Sequence, residues 1–144
     1  MTMTAESRTA DQAALPDGRI VAIVGPVVDV EFPAGSLPEL DWALTFETEV
    51  AGETTSIVAE VAQHIGESRV RAIAMKPTDG LKRGAPVKNL GHGIQVPVGP
   101  GTLGHVFNVI GEPLDTKGQP VTEGIVSHWE IHRPAPPFAD LDPE

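Results

Sequence analysis

Apolar and polar positions alternate with a period of two along the first part of the chain, the signature of half-buried strands. Gly18–Val24 is a β-branched run broken by Gly25-Pro26, and Val27-Val-Asp-Val-Glu-Phe32 resumes it with Val28, Val30 and Phe32 on one face. Residues 33–38 carry two prolines and a glycine and read as loop. Trp42–Val50 places Trp42, Leu44, Phe46 and Val50 on one face and Glu47 and Glu49 on the other. Residues 51–56, with Gly52, are expected to turn, and residues 57–64 to return with Ile57, Ala59 and Val61 inward. Gly66 predicts a further turn into residues 69–75; Pro77-Thr-Asp-Gly80 predicts another, and residues 84–87 start one more short strand. No stretch shows the 3.6 period of a helix. Six strands joined by short turns predict a small antiparallel barrel or sandwich, and closure as a barrel would leave no free strand edge.

The texture changes after Gly93. Residues 94–98 and 105–110 are apolar and extended, but Gly and Pro separate them, and the stretch from Arg133 onward is polar with four prolines. About fifty residues with so few apolar segments cannot bury a core alone. The pattern divides the chain into a disordered tail (1–17), a β-barrel domain (18–93) and the opening of a larger unit (94–144).

Composition sharpens this picture. The 144 residues are 40% hydrophobic but only 4% aromatic, so valine, isoleucine and leucine must fill the core. A net charge of −10 argues against nucleic-acid binding, which needs a cationic surface, and against attachment to acidic lipid. The absence of cysteine excludes disulfides, thiolate metal sites and cysteine nucleophiles. No apolar run reaches the ~18 residues of a membrane span. The first fifteen residues, with Glu6 and Asp11, resemble neither a secretion signal nor a transit peptide.

Four groups of residues invite a chemical reading. Gly99-Pro-Gly-Thr-Leu-Gly104 fits the dinucleotide pattern G-x-G-x-x-G, but that mechanism needs a helix whose amides meet the pyrophosphate, and a β-branched, Pro-broken stretch follows. A loop between strands is expected instead. His128 and His132 have the i, i+4 spacing that ligates zinc on a helix; Pro134, Pro136 and Pro137 disfavour a helix, and an extended chain would hold the two ~13 Å apart. Lys82-Arg83 could attract an anion, though two basic residues at a turn are usually solvated. The serines (Ser7, Ser36, Ser56, Ser68 and Ser127) lie in no nucleophile-elbow context. The Gly-Lys-Ser/Thr of a phosphate-binding loop occurs nowhere. No catalytic, cofactor-binding or metal-ligating residue is assigned.

Taken in order, several stretches resemble the beta subunits of F-type ATP synthases. Gly18-Arg-Ile-Val-Ala-Ile-Val-Gly-Pro-Val-Val-Asp-Val-Glu-Phe32 is similar to the first two strands of that family. Val61-Ala-Gln-His64, residues 75–84 and Val96-Pro-Val-Gly99 match later stretches, and Thr102-Leu-Gly104 with Phe107-Asn-Val-Ile-Gly-Glu-Pro-Leu-Asp115 matches the lead-in to the nucleotide domain. Trp129 with Ile131-His-Arg-Pro-Ala-Pro-Pro-Phe138 resembles the approach to the phosphate-binding loop, so the likeness covers residues 18–138. His105 and Asp41-Trp42 depart from the usual family residues.

The resemblance implies a mainly β chain: a six-stranded antiparallel β-barrel followed by the beginning of an α/β RecA-like nucleotide-binding domain. It implies a catalytic subunit of a proton-translocating ATP synthase, using ATP/ADP and Mg²⁺ in the full-length protein. Its partners would be alpha subunits in an alternating hexamer, the gamma rotor and other subunits of the soluble sector. Its place would be the cytoplasmic face of a bacterial plasma membrane, peripheral and without insertion. The phosphate-binding loop, general base and adenine-stacking residues of the family would lie beyond Glu144, so residues 1–144 alone are expected to be inactive. The alternatives are a free-standing barrel acting as an adaptor or binding module, and a subunit of a related rotary or export ATPase.

Overall fold

Gly25 and Pro26 interrupt the first β-branched run, and there the chain folds back on itself. Strands β1 (Gly18–Val24) and β2 (Val27–Glu31) form a hairpin in which Val24 lies opposite Val27, with a register shift between Ile20 and Ala22. The computed structural model describes residues 15–141, so the tail expected over 1–17 falls mostly outside the described residues. Four further strands complete the first unit: β3 (Trp42–Val50), β4 (Glu53–Gly66), β5 (Arg69–Ala74) and β6 (Pro86–Gly93). They close as a barrel in the order β1-β2-β5-β4-β3-β6, every pairing antiparallel, and β6 returns to β1 through Gly18 opposite Val87. Closure removes the free edges that a six-stranded open sheet would expose.

Two of the hairpins are tighter than the sequence pattern predicts. The β3–β4 ladder continues to Val50 opposite Glu53, so only Ala51 and Gly52 turn, and residues 53–56 belong to the strand. Both turn residues have positive φ (53° and 84°), which gives the twist that matches right-handed strands. The β4–β5 hairpin likewise turns on Glu67 and Ser68 (φ 51° and 57°), one residue beyond Gly66.

The core is the barrel interior. Ile20, Val28, Val30, Phe32, Leu44, Phe46, Ile57, Val61, Val70 and Val87 are buried together with Ala59, Ala72 and Ala74. The predicted inward faces of β2 and β4 are as observed. On β3 two positions differ. Trp42 is half-buried at the start of the strand, where the β3–β6 register shifts between Trp42 and Leu44, and Ala43 is buried on the outward face, opposite Glu60. Val50 sits at the hairpin tip and is exposed, and the inward position two residues earlier is filled by Thr48, whose hydroxyl donates to the Asp79 carbonyl at 3.1 Å. That hydrogen bond satisfies the polar atom inside an apolar wall. It also pins the β5–β6 connection, where Gly80 (φ 79°) lies so close that an added Cβ would meet the Glu49 carbonyl at 2.9 Å.

Beyond the barrel, β7 (Gln95–Val98) and β8 (Ser127–Glu130) pair antiparallel, with Val96 opposite Trp129. Between them runs a long loop that contains a single 3₁₀ turn at Pro100–Thr102 and one bridge between Phe107 and Pro113. Among the described residues there is no α-helix and no parallel strand pair, so the expected α/β RecA-like architecture is not seen in this stretch. None of the described residues is long and apolar enough as a helix to cross a membrane. No described residue after Ile94 is buried.

Candidate functional site

The residues singled out from the sequence are separated by the fold. Gly99 to Gly104 forms a 3₁₀ turn, and Leu103 after it is extended, so no helix dipole or row of amides faces a ligand. Its glycines have another use. The Gly101 amide donates to the Gly124 carbonyl at 2.9 Å, and a Cβ on Gly101 would collide with the backbone of Glu123. The pattern marks two loop strands in close approach, as expected for a loop. Lys82 and Arg83 are exposed on the β5–β6 connection. Ser56 and Ser127 are exposed on β4 and β8, Ser36 and Ser68 are half-buried in turns, and Ser7 lies outside the described residues.

His128 and His132 do not come together on a common partner. His128 is exposed within β8, opposite Pro97. His132, just past the strand, reaches the barrel wall and donates from Nε2 to Glu60 Oε2 at 2.9 Å. Glu60 occupies an outward position of β4 between inward Ala59 and Val61, and its side chain is only 20% exposed. The Asp41 carboxylate completes the group, with the polar atoms of Asp41, Glu60 and His132 all within 4.8 Å of one another. Asp41 has φ 66°, and its amide donates to the Val61 carbonyl at 2.9 Å, so its backbone is tied to β4 beside Glu60. Glu130 closes in from β8: a Cβ on Gly93 would lie 3.2 Å from both Glu130 Oε2 and the Asp41 carbonyl.

The electrostatics of the group favour a proton. The hydrogen bond to Glu60 raises the pKa of His132 above its ordinary value, helped by the charges of Glu60, Asp41 and Glu130 and opposed by partial desolvation. Its Nε2 shares a proton with the Glu60 carboxylate, which a metal ion would have to displace. Among the described residues no nucleophile is hydrogen-bonded to the three side chains. The arrangement is a charged junction between the barrel and the segment that follows it. The sequence reading missed it because the histidine and the glutamate lie 72 residues apart, and neither has a local motif.

Other polar contacts hold the surface. Asp29 and Arg71, paired across β2 and β5, form a bidentate ion pair at 2.8 and 2.9 Å, and the guanidinium hydrogen bond holds the Asp29 carboxyl below its usual range. Lys76 of the β5–β6 connection bonds Glu112 at 3.1 Å, a second tether from barrel to loop. Within the loop His105 Nδ1 donates to Asp115 at 2.7 Å, which lowers the Asp115 pKa.

The architecture defines a class: a closed six-stranded antiparallel barrel carrying an extended, exposed continuation. Residues 20–91 match the sequence model of the ATP synthase alpha/beta family, beta-barrel domain, which is half of the 144-residue chain. The chain belongs to that ATP synthase alpha/beta family. The family is associated with ATPases, and its barrels imply assembly into ATP synthase or related ATPase complexes.

Proposed function

We propose that the chain is the amino-terminal portion of the catalytic beta subunit of an F-type ATP synthase. One observation carries the reading to beta. Within the β1–β2 hairpin and its exit, Gly25-Pro-Val-Val-Asp-Val-Glu-Phe32 resembles the beta subunit rather than its relatives, and it lies inside the matched stretch. In this reading the barrel at residues 18–93 stands beside alpha-subunit barrels in an alternating ring at the cytoplasmic face of the membrane. Residues 94–144 open the nucleotide-binding domain. The apolar side chains exposed on that stretch, Leu103, Val126 and Phe138 among them, support this, since they are what an unfinished core presents.

ATP, ADP and Mg²⁺ would be handled further along the protein. Triphosphate binding requires consecutive backbone amides around the phosphates, a lysine on the outer phosphates and a hydroxyl on Mg²⁺. The Gly-Lys-Ser/Thr that supplies the last two is missing from these residues. The 144-residue chain is therefore expected to associate with alpha subunits of an F-type enzyme but to show no saturable Mg-ATP binding. Size-exclusion chromatography with purified alpha subunit and isothermal titration with Mg-ATP at moderate salt check both halves. Failure to associate with alpha sinks the reading. Salt-insensitive micromolar binding of Mg-ATP would return the phosphate site to residues 99–104.

A further inference from the structure

We propose that Asp41, Glu60 and His132 form a proton-operated latch that fastens the segment after β8 to the barrel, and that the latch loosens as His132 loses its proton. The inference stands on geometry and does not depend on which subunit the chain is. The continuation buries nothing after Ile94, so apolar packing contributes little to holding it in place. Polar contacts must do so. Where the chain leaves β8, the Ile131 amide donates to the Ile94 carbonyl at 2.9 Å and extends the β7–β8 ladder by one bond. One residue later His132 crosses to the barrel and bonds Glu60 at 2.9 Å.

The charged groups around His132 come from each neighbouring piece. Glu60 faces it from β4, Asp41 from the loop before β3, and Glu130 from its own strand β8. At the end of β6, Gly93 packs beside Glu130, and the His92 ring bonds the Gly93 carbonyl at 2.7 Å. The adjacent Arg133 does not counter these acids at close range; its guanidinium stacks over the Trp129 ring at 3.6 Å. Three carboxylates thus surround one imidazole. With His132 protonated, the group carries a charge-assisted hydrogen bond and a favourable field; with it neutral, the hydrogen bond weakens and the acids face one another uncompensated.

The sign follows from linkage. The pKa of His132 is raised by docking, so the docked state binds the proton more tightly than the undocked one. The extra stability of docking is present below the ordinary histidine range and disappears as pH rises through the raised value. The second tether provides an internal contrast. Asn108 and Lys76 hold the Glu112 carboxyl below its usual range, so the Lys76–Glu112 pair does not respond near neutral pH. Of these two tethers, a pH-dependent release in the neutral range is then expected at the His132 one.

Two NMR measurements on the 144-residue chain test the latch. The first follows the His132 ring protons against pH, assigned with His132→Gln. The second follows amide exchange at Ile131, corrected for the intrinsic pH dependence of exchange. His132 should titrate above free histidine, and Ile131 protection should fall several-fold as pH rises through that midpoint, while Val30 in the barrel stays unchanged. Glu60→Gln should lower the midpoint and remove the step. Should Glu60→Gln disturb the barrel, Asp41→Asn decides instead: asparagine tolerates a positive φ well, and this variant should lower the midpoint with Val30 protection intact. An ordinary His132 midpoint, a flat Ile131 profile, or a step that survives in the folded variants would overturn the proposal. So would a step shared equally by Val30, which would mean global unfolding.

Discussion

The barrel and its continuation are built from one chain but by opposite rules. From Gly18 to Gly93, side chains alternate inward and outward, and thirteen of them fuse into one core behind closed strands. From Gln95 onward two four-residue strands form a ladder, yet no side chain of the described residues is buried. The contrast shows that strand pairing alone does not make a folding unit. A two-stranded ribbon satisfies backbone hydrogen bonds but removes little apolar surface from water, and it needs further layers for stability of its own. The barrel supplies its own second layer by closing. The continuation leaves Leu103, Val126 and Phe138 facing solvent, and it rests on the barrel through a few polar contacts.

The largest effect that tests this contrast is a pair of identical truncations. Phe46 is 2% exposed inside the barrel and Phe138 is 89% exposed in the continuation. Phe46→Ala should cost about 3–5 kcal/mol of unfolding free energy, whereas Phe138→Ala should stay within about 0.5 kcal/mol of the parent. Chemical denaturation followed by tryptophan fluorescence compares them directly. Similar losses would show that the continuation shares the cooperative core.

A smaller effect is expected where backbone rather than side chain is packed. Gly80→Ala forces a Cβ against the Glu49 carbonyl and the Thr48 hydroxyl, and does so at a φ of 79°. The strain and the threatened Thr48–Asp79 bond together should cost about 1–3 kcal/mol. Gly118 provides the contrast: it has φ 82° in the continuation, and nothing lies near its Cβ. Gly118→Ala should cost only the conformational part, about 1 kcal/mol or less in any cooperative transition. Equal midpoints for the two variants in thermal melts would remove the packing argument.

How much of this was legible in the sequence follows the same division. The barrel was readable because each strand declares itself locally, through Val28/Val30/Phe32 and Ile57/Ala59/Val61 on alternating positions. Its errors were also local. Trp42 sits where the register shifts against β6. The β3–β4 turn, placed over residues 51–56 on the strength of Gly52, takes only Ala51 and Gly52, since the β-branched Thr54 and Thr55 continue the strand. Thr48 was overlooked since only the distant Asp79 carbonyl makes a hydroxyl acceptable inside. The junction of Asp41, Glu60 and His132 left no mark at all. Its members are ordinary outward or loop residues, and the only information that joins them is the path of the chain. The resemblance in Thr102–Gly104 and Phe107–Asp115 named a lead-in to a nucleotide domain, and the loop expected over residues 99–104 is what the chain forms there.

The smallest expected effect concerns acid, and it separates a contact inside the barrel wall from those that tether the continuation. Asp29 and Arg71 sit opposite each other on β2 and β5, with both carboxylate oxygens engaged. Because the folded state lowers the Asp29 pKa, stability from this pair is complete above the ordinary aspartate range and is lost as pH falls through the depressed value. The Arg71 side chain is 44% exposed, so solvent screening reduces the contribution to roughly 0.2–1 kcal/mol. Asp29→Asn should therefore lower barrel stability by that amount near neutral pH and by less in acid, narrowing the gap to the parent as pH drops. Asp115, lowered by His105 within the loop, titrates in the same direction, but it belongs to a stretch that shares no core with the barrel. Asp115→Asn should leave the barrel's acid profile where it was. Denaturant midpoints of both variants between neutral and acidic pH decide the matter. If Asp115→Asn flattens the acid limb as much as Asp29→Asn does, the loop is thermodynamically part of the barrel, and the division between closed core and polar tether fails.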